Sequence, residues 1–187
     1  MVLVLIGFLG SALCSAASRA LALAHRTQCS SNLRQIGVAA QMYVQDNDSY
    51  PPAWLNNKTR WMDLLKPYLD IEKQAAAFVC PCDEARIKLP WDPEITMSYG
   101  INAFNFGSAA YCFWYEVPAT RVSRPSGTIL FADCTPGKYY CGGGSRLSEP
   151  VKDVAYRHVG KTFCAANCDG HVEVKKNTVR NDWDASR

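Results

Sequence analysis

The apolar positions of the first forty-odd residues follow two different rules in succession. Met1 to Ser18 carry no charge at all, and Ala20 to Ala24 stay apolar after the single Arg19. Further on, Leu33, Ile36, Ala40 and Tyr43 recur at three- and four-residue steps, while Arg34, Gln35, Gln41 and Gln45 fill the other faces. That is the period of an amphipathic helix. Asp46-Asn47-Asp48-Ser49 and then Pro51-Pro52 end it. The pattern predicts one helix over residues 1–45, greasy in its first half and amphipathic in its second. Such a helix exceeds the usual element of a compact domain, so its front end needs an environment of its own. Eighteen helical residues span about 27 Å, close to the ~30 Å hydrocarbon core, and residues 1–18 are therefore expected to anchor in a membrane. The alternative is a secretory signal cleaved near Ala17, in the small-residue stretch Ser15 to Ser18. It lacks the basic segment that normally opens one. Lipidation at Cys14 is disfavoured by the bulky Leu13 before it.

Past the prolines, Trp61, Leu64, Leu65, Tyr68 and Leu69 predict a short amphipathic helix opening at Asn57 or Thr59 and ending near Asp70. From there apolar runs are short and separated by turn residues. Phe78 to Cys80, Met97 to Ile101, Tyr111 to Val117 and Thr128 to Ala132 are predicted strands. Lys161 to Ala166 and His171 to Lys176 flank Asp169-Gly170, the turn chemistry of a tight hairpin, with Val172 and Val174 sharing one face. The expected fold is α+β: a long N-terminal helix, residues 1–45, packed on a small antiparallel sheet in a globular domain of residues 46–187. The tail from Asn177 to Arg187 is polar and expected to be loose.

Charge narrows the function classes. The 187 residues carry a net +3, all of it from Arg19, Arg26 and Arg34, and the remainder sums to zero. A neutral body argues against a phosphate-tracking surface, so no nucleic acid is expected as a partner. Nine cysteines are many for a reducing compartment; outside the cytoplasm they would tend to pair, and Cys134 with Cys141 is the expected local bridge. A zinc site built from Cys80, Cys82, Cys164, Cys168 and His171 is the sharper alternative, but Cys-x-Cys is tighter than the usual ligand spacing and zinc is disfavoured. Cys164 with His158 could form a thiol hydrolase pair, yet no third orienting group is identifiable; His158 reads more simply as a hairpin-edge residue bonded to the Asp169 turn. No enzyme is expected. Asp46, Asn47 and Asp48 fail the EF-hand pattern and read as a solvated helix end. The tryptophans at 54, 61, 91 and 114 and the run Tyr111 to Tyr115 read as core in preference to a sugar platform, and Gly142-Gly143-Gly144 as a flexible connection.

Several strings, taken in order, resemble one family. Cys29 to Gly37, including Asn32, Leu33, Gln35, Ile36 and Gly37, followed by Met42-Tyr43 and Asp46-Asn47-Asp48, is similar to the helix of pilin-like proteins related to the type II secretion major pseudopilin. Val79-Cys80-Pro81 with Asp83, Ser98 to Asn102, and Arg124-Pro125-Ser126 through Phe131-Ala132-Asp133 follow in the family's order. His158 with Asp169-Gly170-His171 resembles the terminal signature of one branch, a His, nine residues, then Asp-Gly. Here ten residues intervene, Val159 to Cys168, so the hairpin is expected to carry a bulge. The resemblance implies a non-enzymatic structural protein with a single inner-membrane pass and a periplasmic or extracellular body. Its partners would be other pilin-like subunits or secretion machinery, and membrane lipid through residues 1–18. It also raises calcium as a cofactor, without matching ligands at Asp182 or Asp184. The family's basic leader and Phe-Thr-Leu-Ile-Glu segment are not seen, with Ala12 where the glutamate would fall, and Arg19, Arg26 and Arg34 follow the apolar stretch against the orientation rule. These departures lead to the expectation that the natural start lies upstream of Met1. The competing class is a secreted, disulfide-stabilised binding module released by cleavage near Ala17.

Overall fold

The computed structural model describes the chain except at residues 1, 57–58, 71–73, 90–91, 105–110, 145–152 and 187; for residues 2–12, 74–75, 92–95 and 143–144 only the backbone is described. One helix, α1, runs from Val2 to Asn47. At ~1.5 Å per residue its 46 residues extend about 69 Å. It stops where Asp48 turns left-handed at φ 56 and returns its N–H to the Val44 carbonyl at 2.9 Å, after which the paired prolines bar further helix. The short elements that follow are β1 (Ser49–Tyr50), α2 (Trp61–Leu65), α3 (Gln74–Ala77), β2 (Lys88–Leu89), β3 (Asp92–Thr96), β4 (Tyr99–Phe104) and β5 (Val117–Pro118). Then come β6 (Ile129–Asp133), β7 (Tyr140–Gly144), β8 (Phe163–Asn167) and β9 (Val172–Lys175). The fold is α+β, a long helix on a sheet, as in pilin-like proteins.

The main sheet has five strands in the order β7-β4-β6-β8-β9. It is mixed, not purely antiparallel as expected: β7 runs parallel to β4, while the other three pairs are antiparallel. The reason is local. β6 ends beside the start of β4, and the chain from Cys134 to Tyr139 steps around that start, with Cys134 N–H on the Ser98 carbonyl at 2.8 Å and Ile101 N–H on the Tyr139 carbonyl at 3.1 Å. Gly100 makes the step feasible, because a Cβ there would lie 2.7 Å from the Tyr140 carbonyl carbon and 2.8 Å from Cys134 Sγ.

The alternation of β8 shows how the core divides. Cys164 and Ala166 face α1, joining Cys29, Leu33, Ile36, Ala40, Tyr43, Tyr99 and Phe131; Phe163 and Ala165 face the other way, towards Phe104, Ile129, Ala132 and Trp183. The second layer corrects the expected loose tail. Trp183 and Ala185 are fully buried, and Asn102 Nδ2 donates to the Trp183 carbonyl at 2.8 Å and the Ile129 carbonyl at 2.9 Å. The tail covers a sheet face that would otherwise expose Phe104 and Phe163.

Other expectations shift in place. Phe78 to Cys80 is a turn following α3, and of the aromatic run only Val117 reaches a strand. α2 opens at Trp61, after Arg60 donates its N–H to the Asp63 carboxylate at 3.2 Å, while Asn57 lies outside the described residues. The hairpin between β8 and β9 forms as predicted, with Gly170 at φ 87, and its register is unbroken from Phe163↔Lys175 to Ala166↔Val172. The irregularity sits instead in the pairing of β6 with β8, between Ile129 and Phe131. Gly142 belongs to β7 at φ 75, where the Phe104 ring occupies the place of a Cβ, so it is a packing glycine and not part of a flexible connection.

Along α1 the burial changes abruptly. From Cys29 onward its Leu33, Ile36 and Ala40 stripe is buried, whereas residues 13–28 include no buried position, with Leu13, Leu21 and Leu23 exposed and Ala22, His25 and Arg26 half-buried. Among the described residues no helix is long and apolar enough to cross a membrane; most of the expected anchor, residues 1–12, has no described side chains.

Candidate functional site

The densest chemistry lies beneath α1. Cys29 sits one turn before Leu33 on the buried stripe, so its thiol faces the sheet. Asn32 Nδ2 donates to the carbonyls of Val79, at 2.9 Å, and Ala76, at 3.3 Å, which draws the turn carrying Cys80 against the same helix face. Asp133 ends β6, Cys164 lies on β8, and His158 precedes the tight turn that leads into β8, pairing with Thr162 across it.

These groups converge. Cys29 Sγ lies 3.5 and 3.7 Å from the two Asp133 carboxylate oxygens, and Tyr99 Oη donates to Cys29 Sγ at 3.3 Å. His158 Nε2 is 2.9 Å from Asp133 Oδ2 and 3.8 Å from Cys80 Sγ. The Cys164 N–H donates to Asp133 Oδ2 at 2.7 Å, and its sulfur lies 3.4 Å from Ser30 Oγ. Behind them Arg157 spans two carboxylates: Nη1 is 2.7 Å from Asp83 Oδ2 and Nε is 3.7 Å from Asp133 Oδ1. Ser98 Oγ completes Asp83 at 2.7 Å. Cys29, Cys80, Asp133 and His158 are all buried, and their potential ligand atoms lie within 4.8 Å of one another.

The thiols are electrostatically unlike. Burial raises the Cys29 thiol, reinforced by its hydrogen bonds to Cys164 and Cys80. The Cys80 and Cys164 thiols are both lowered, first because Cys29 donates to them and then because His158 does, against the opposing effect of burial. For His158 burial favours the neutral ring, but hydrogen bonds to Asp133, Cys164 and Cys80 outweigh it and push its pKa up to about 12.

Cys80 and His158 are not arranged as a thiol–imidazole relay. An Asp–His–Cys relay needs the carboxylate on one ring nitrogen and the nucleophile on the other. Here Asp133 and Cys80 meet the same nitrogen, Nε2, while His158 Nδ1 is buried without a partner. A groove beside the cluster is lined by residues that include Cys82, Asp83, Pro136 and Arg157.

The structure redistributes the residues singled out in sequence. His158 does not bond the Asp169 turn; it is drawn inward by Asp133, and His171 takes the turn instead, Nδ1 to Asp169 at 2.7 Å and Nε2 to Glu173 at 3.1 Å. The expected zinc set splits accordingly. Cys80 and Cys164 stay in the cluster, Cys82 is half-buried at its edge, and His171 faces solvent. Cys168 is buried elsewhere, its carbonyl accepting from Gln41 and from Tyr50 Oη. The expected Cys134–Cys141 bridge is not formed: both are free thiols, Cys134 Sγ directed at the Tyr140 carbonyl at 3.1 Å and Cys141 Sγ at the Gly100 carbonyl at 3.9 Å. Leu33 and Ile36 are core, Gln35 is half-buried, Pro81 is half-buried beside Cys80, and Gly37 packs on Gly170, where a Cβ would meet Gly170 Cα at 3.2 Å. Asp182 and Asp184 cap local turns, through Thr178 and Val179 for the first and Ser186 for the second. Trp54 stacks on Trp114 at 6.3 Å against the core, and Trp91 lies outside the described residues. Cys29 and Asp133 are the members that spacing alone missed; only Cys29's place four residues before Leu33 on the apolar stripe marked it as inward-facing.

Comparison with known proteins gives a family match over part of the chain. A family model described as a protein of unknown function, DUF1559, matches residues 20–79, which include the buried half of α1 and reach the turn before Cys80. The match supports a pilin-like or secretion-associated structural protein and does not extend to the His158 to Asp169-Gly170 region. No curated protein and no solved structure gives a significant match.

Proposed function

We propose that the chain is a non-enzymatic pilin-like subunit, anchored or assembled through the front of α1, with its α+β body held on the far side of the inner membrane, in the periplasm or outside the cell. The observation that carries this reading is the contrast within one unbroken helix: Leu33 and Ile36 are wholly buried by the body, while Leu21 is 57% exposed and Leu13 73% exposed. Residues 13–21 are exposed without a break, over about 14 Å, and none of residues 13–28 is buried, Ala22, His25 and Arg26 being half-buried. Exposing leucines along a free helix is unfavourable in water, and burial returns roughly 1.5–3 kcal/mol per large apolar side chain. Lipid tails or the apolar helices of neighbouring subunits would supply that burial. Partners are accordingly other pilin-like subunits or a secretion apparatus, with lipid around the front of the helix.

Flotation of the purified full chain with neutral phosphatidylcholine vesicles in high salt tests the reading. High salt screens attraction by Arg19 and Arg26, so only apolar insertion survives. Co-flotation is expected; a chain that stays wholly in the aqueous fraction as a monodisperse monomer contradicts it.

A further inference from the structure

We propose that Cys29, Cys80, His158 and Asp133 form a closed structural site for a soft divalent cation, zinc being the natural occupant, that clips the long helix to the sheet. Two thiolates, an imidazole and a carboxylate are the donor types zinc takes, and structural zinc sites hold four protein ligands with no open position. Zinc bonds of about 2.3 Å to sulfur and 2.0–2.1 Å to nitrogen or oxygen place tetrahedral ligand atoms roughly 3.4–3.8 Å apart. The cluster already approaches this: Cys29 to Asp133 at 3.5 and 3.7 Å, and Cys80 to His158 at 3.8 Å. The His158–Asp133 edge, at 2.9 Å, would have to open.

The surroundings are those of a ligand set more than of an apolar core. Cys29 and Asp133 are fully shielded from solvent, as are Cys80 and the His158 side chain. Asp133 is held by the Cys164 N–H, His158 and Arg157, so its carboxylate is kept in place at the centre of the four groups. A cation with two thiolates and one carboxylate leaves one net negative charge beside Arg157, which lies 3.7 Å from Asp133 and is shared with Asp83 at 2.7 Å. Loading would release to solvent the protons that the two thiols and His158 Nε2 carry. Asp133 would keep the Cys164 N–H as an outer partner that fixes its orientation.

The four ligands come from α1, the turn after α3, the end of β6 and the approach to β8. Cys29 and Asp133 are 104 positions apart, and Cys80 and His158 are 78 apart. A metal there would tie these distant segments together, and because a preformed site rarely exists in an unfolded chain, its binding energy would add to folding.

The experiment is metal analysis of the detergent-solubilised full chain, loaded with one equivalent of zinc under reducing conditions and freed of excess. About one zinc per chain is expected. Cys29→Ser and Cys80→Ser should each retain under a tenth of that, while Cys168→Ser, buried outside the cluster, should retain all of it. Because the serine variants could fail to fold, the wild-type chain is also loaded with cobalt, where thiolate-to-cobalt charge-transfer bands and intense tetrahedral visible bands are expected. A wild-type chain that holds no metal, full zinc retention in both serine variants, a cobalt spectrum without thiolate bands, or a Cys29–Cys80 disulfide in the isolated protein each overturns the proposal.

Discussion

Cys29 on the long helix and Asp133 at the end of β6 face each other at 3.5 Å, sulfur to carboxylate oxygen. That contact joins the element that sets the molecule's length to the strand at the centre of its sheet. It also places a charged side chain directly under a helix whose neighbouring positions, Leu33 and Ile36, are apolar and buried.

Asp133 organises the interior, accepting from the Cys164 N–H and pairing with His158 and Arg157. Asp133→Ala removes one member of a buried charge network and strands the others, which typically costs about 3–5 kcal/mol. Urea unfolding of the metal-free chain should show a loss in that range; a change below about 1 kcal/mol would mean that the network is not set up as described.

The two halves of α1 should answer differently to the same substitution. Leu33→Ala creates a cavity in the core and should lower stability by about 2–5 kcal/mol, whereas Leu21→Ala on the free half should stay within about 0.5 kcal/mol in detergent. Matched thermal melts of the two variants provide the check, and equal losses would show that both leucines are packed alike.

Glycine substitutions separate crowding from backbone strain. Gly100→Ala would drive a Cβ into the Tyr140 backbone and Cys134 Sγ, and overpacking of this kind costs about 1–3 kcal/mol or more. Gly160, at φ 78, has nothing within 4 Å of a built Cβ, so Gly160→Ala pays only for its left-handed backbone, about 1 kcal/mol. The melting temperature of the Gly100 variant should fall further; the reverse order contradicts the close approach of β7 to β4.

The β8–β9 hairpin carries a pH window. Partial burial pulls the His171 pKa down, but hydrogen bonds to Asp169 and Glu173 outweigh it and the net shift is upward from 6.5. Burial likewise opposes ionisation of Glu173, yet Asn167 and His171 hold its pKa below 4.5. A raised histidine contributes fully below its unfolded value and loses that contribution as pH rises through the folded one; a depressed carboxylate contributes above its unfolded value and loses it on acidification. Both contributions are therefore present between pH 4.5 and 6.5. An NMR titration of His171 should give a midpoint above 6.5, and a midpoint at or below the ordinary value would contradict the pairing.

Legibility in the sequence followed periodicity. The helix was readable because Leu33, Ile36, Ala40 and Tyr43 repeat with one period over many residues, and the last hairpin because Asp169-Gly170 supplies its turn in the chain itself. The parallel placement of β7 was not, since it depends on Cys134 to Tyr139 stepping round β4, a packing event that leaves only Gly100 as a trace. The aromatic run from Tyr111 misled because strand-like composition also suits a buried loop, where Phe113 is wholly enclosed and accepts the Ala53 N–H at 2.6 Å. The buried cluster was half legible: Cys80, Cys164 and His158 stood out as chemistry, but their partners Cys29 and Asp133 lie far off in the chain. Only folding shows that His158 turns inward to Asp133 and leaves His171 to the solvent-facing turn.

Amide hydrogen exchange along α1, measured in buffer and again with lipid vesicles, tests the central claim most directly. Residues 29–47 should be protected under both conditions, while residues 13–28 should exchange quickly in buffer and become protected only with lipid. Strong protection of 13–28 in a lipid-free monomer, equal to that of 29–47, would mean that the front of the helix is folded into the body, and the account would fail.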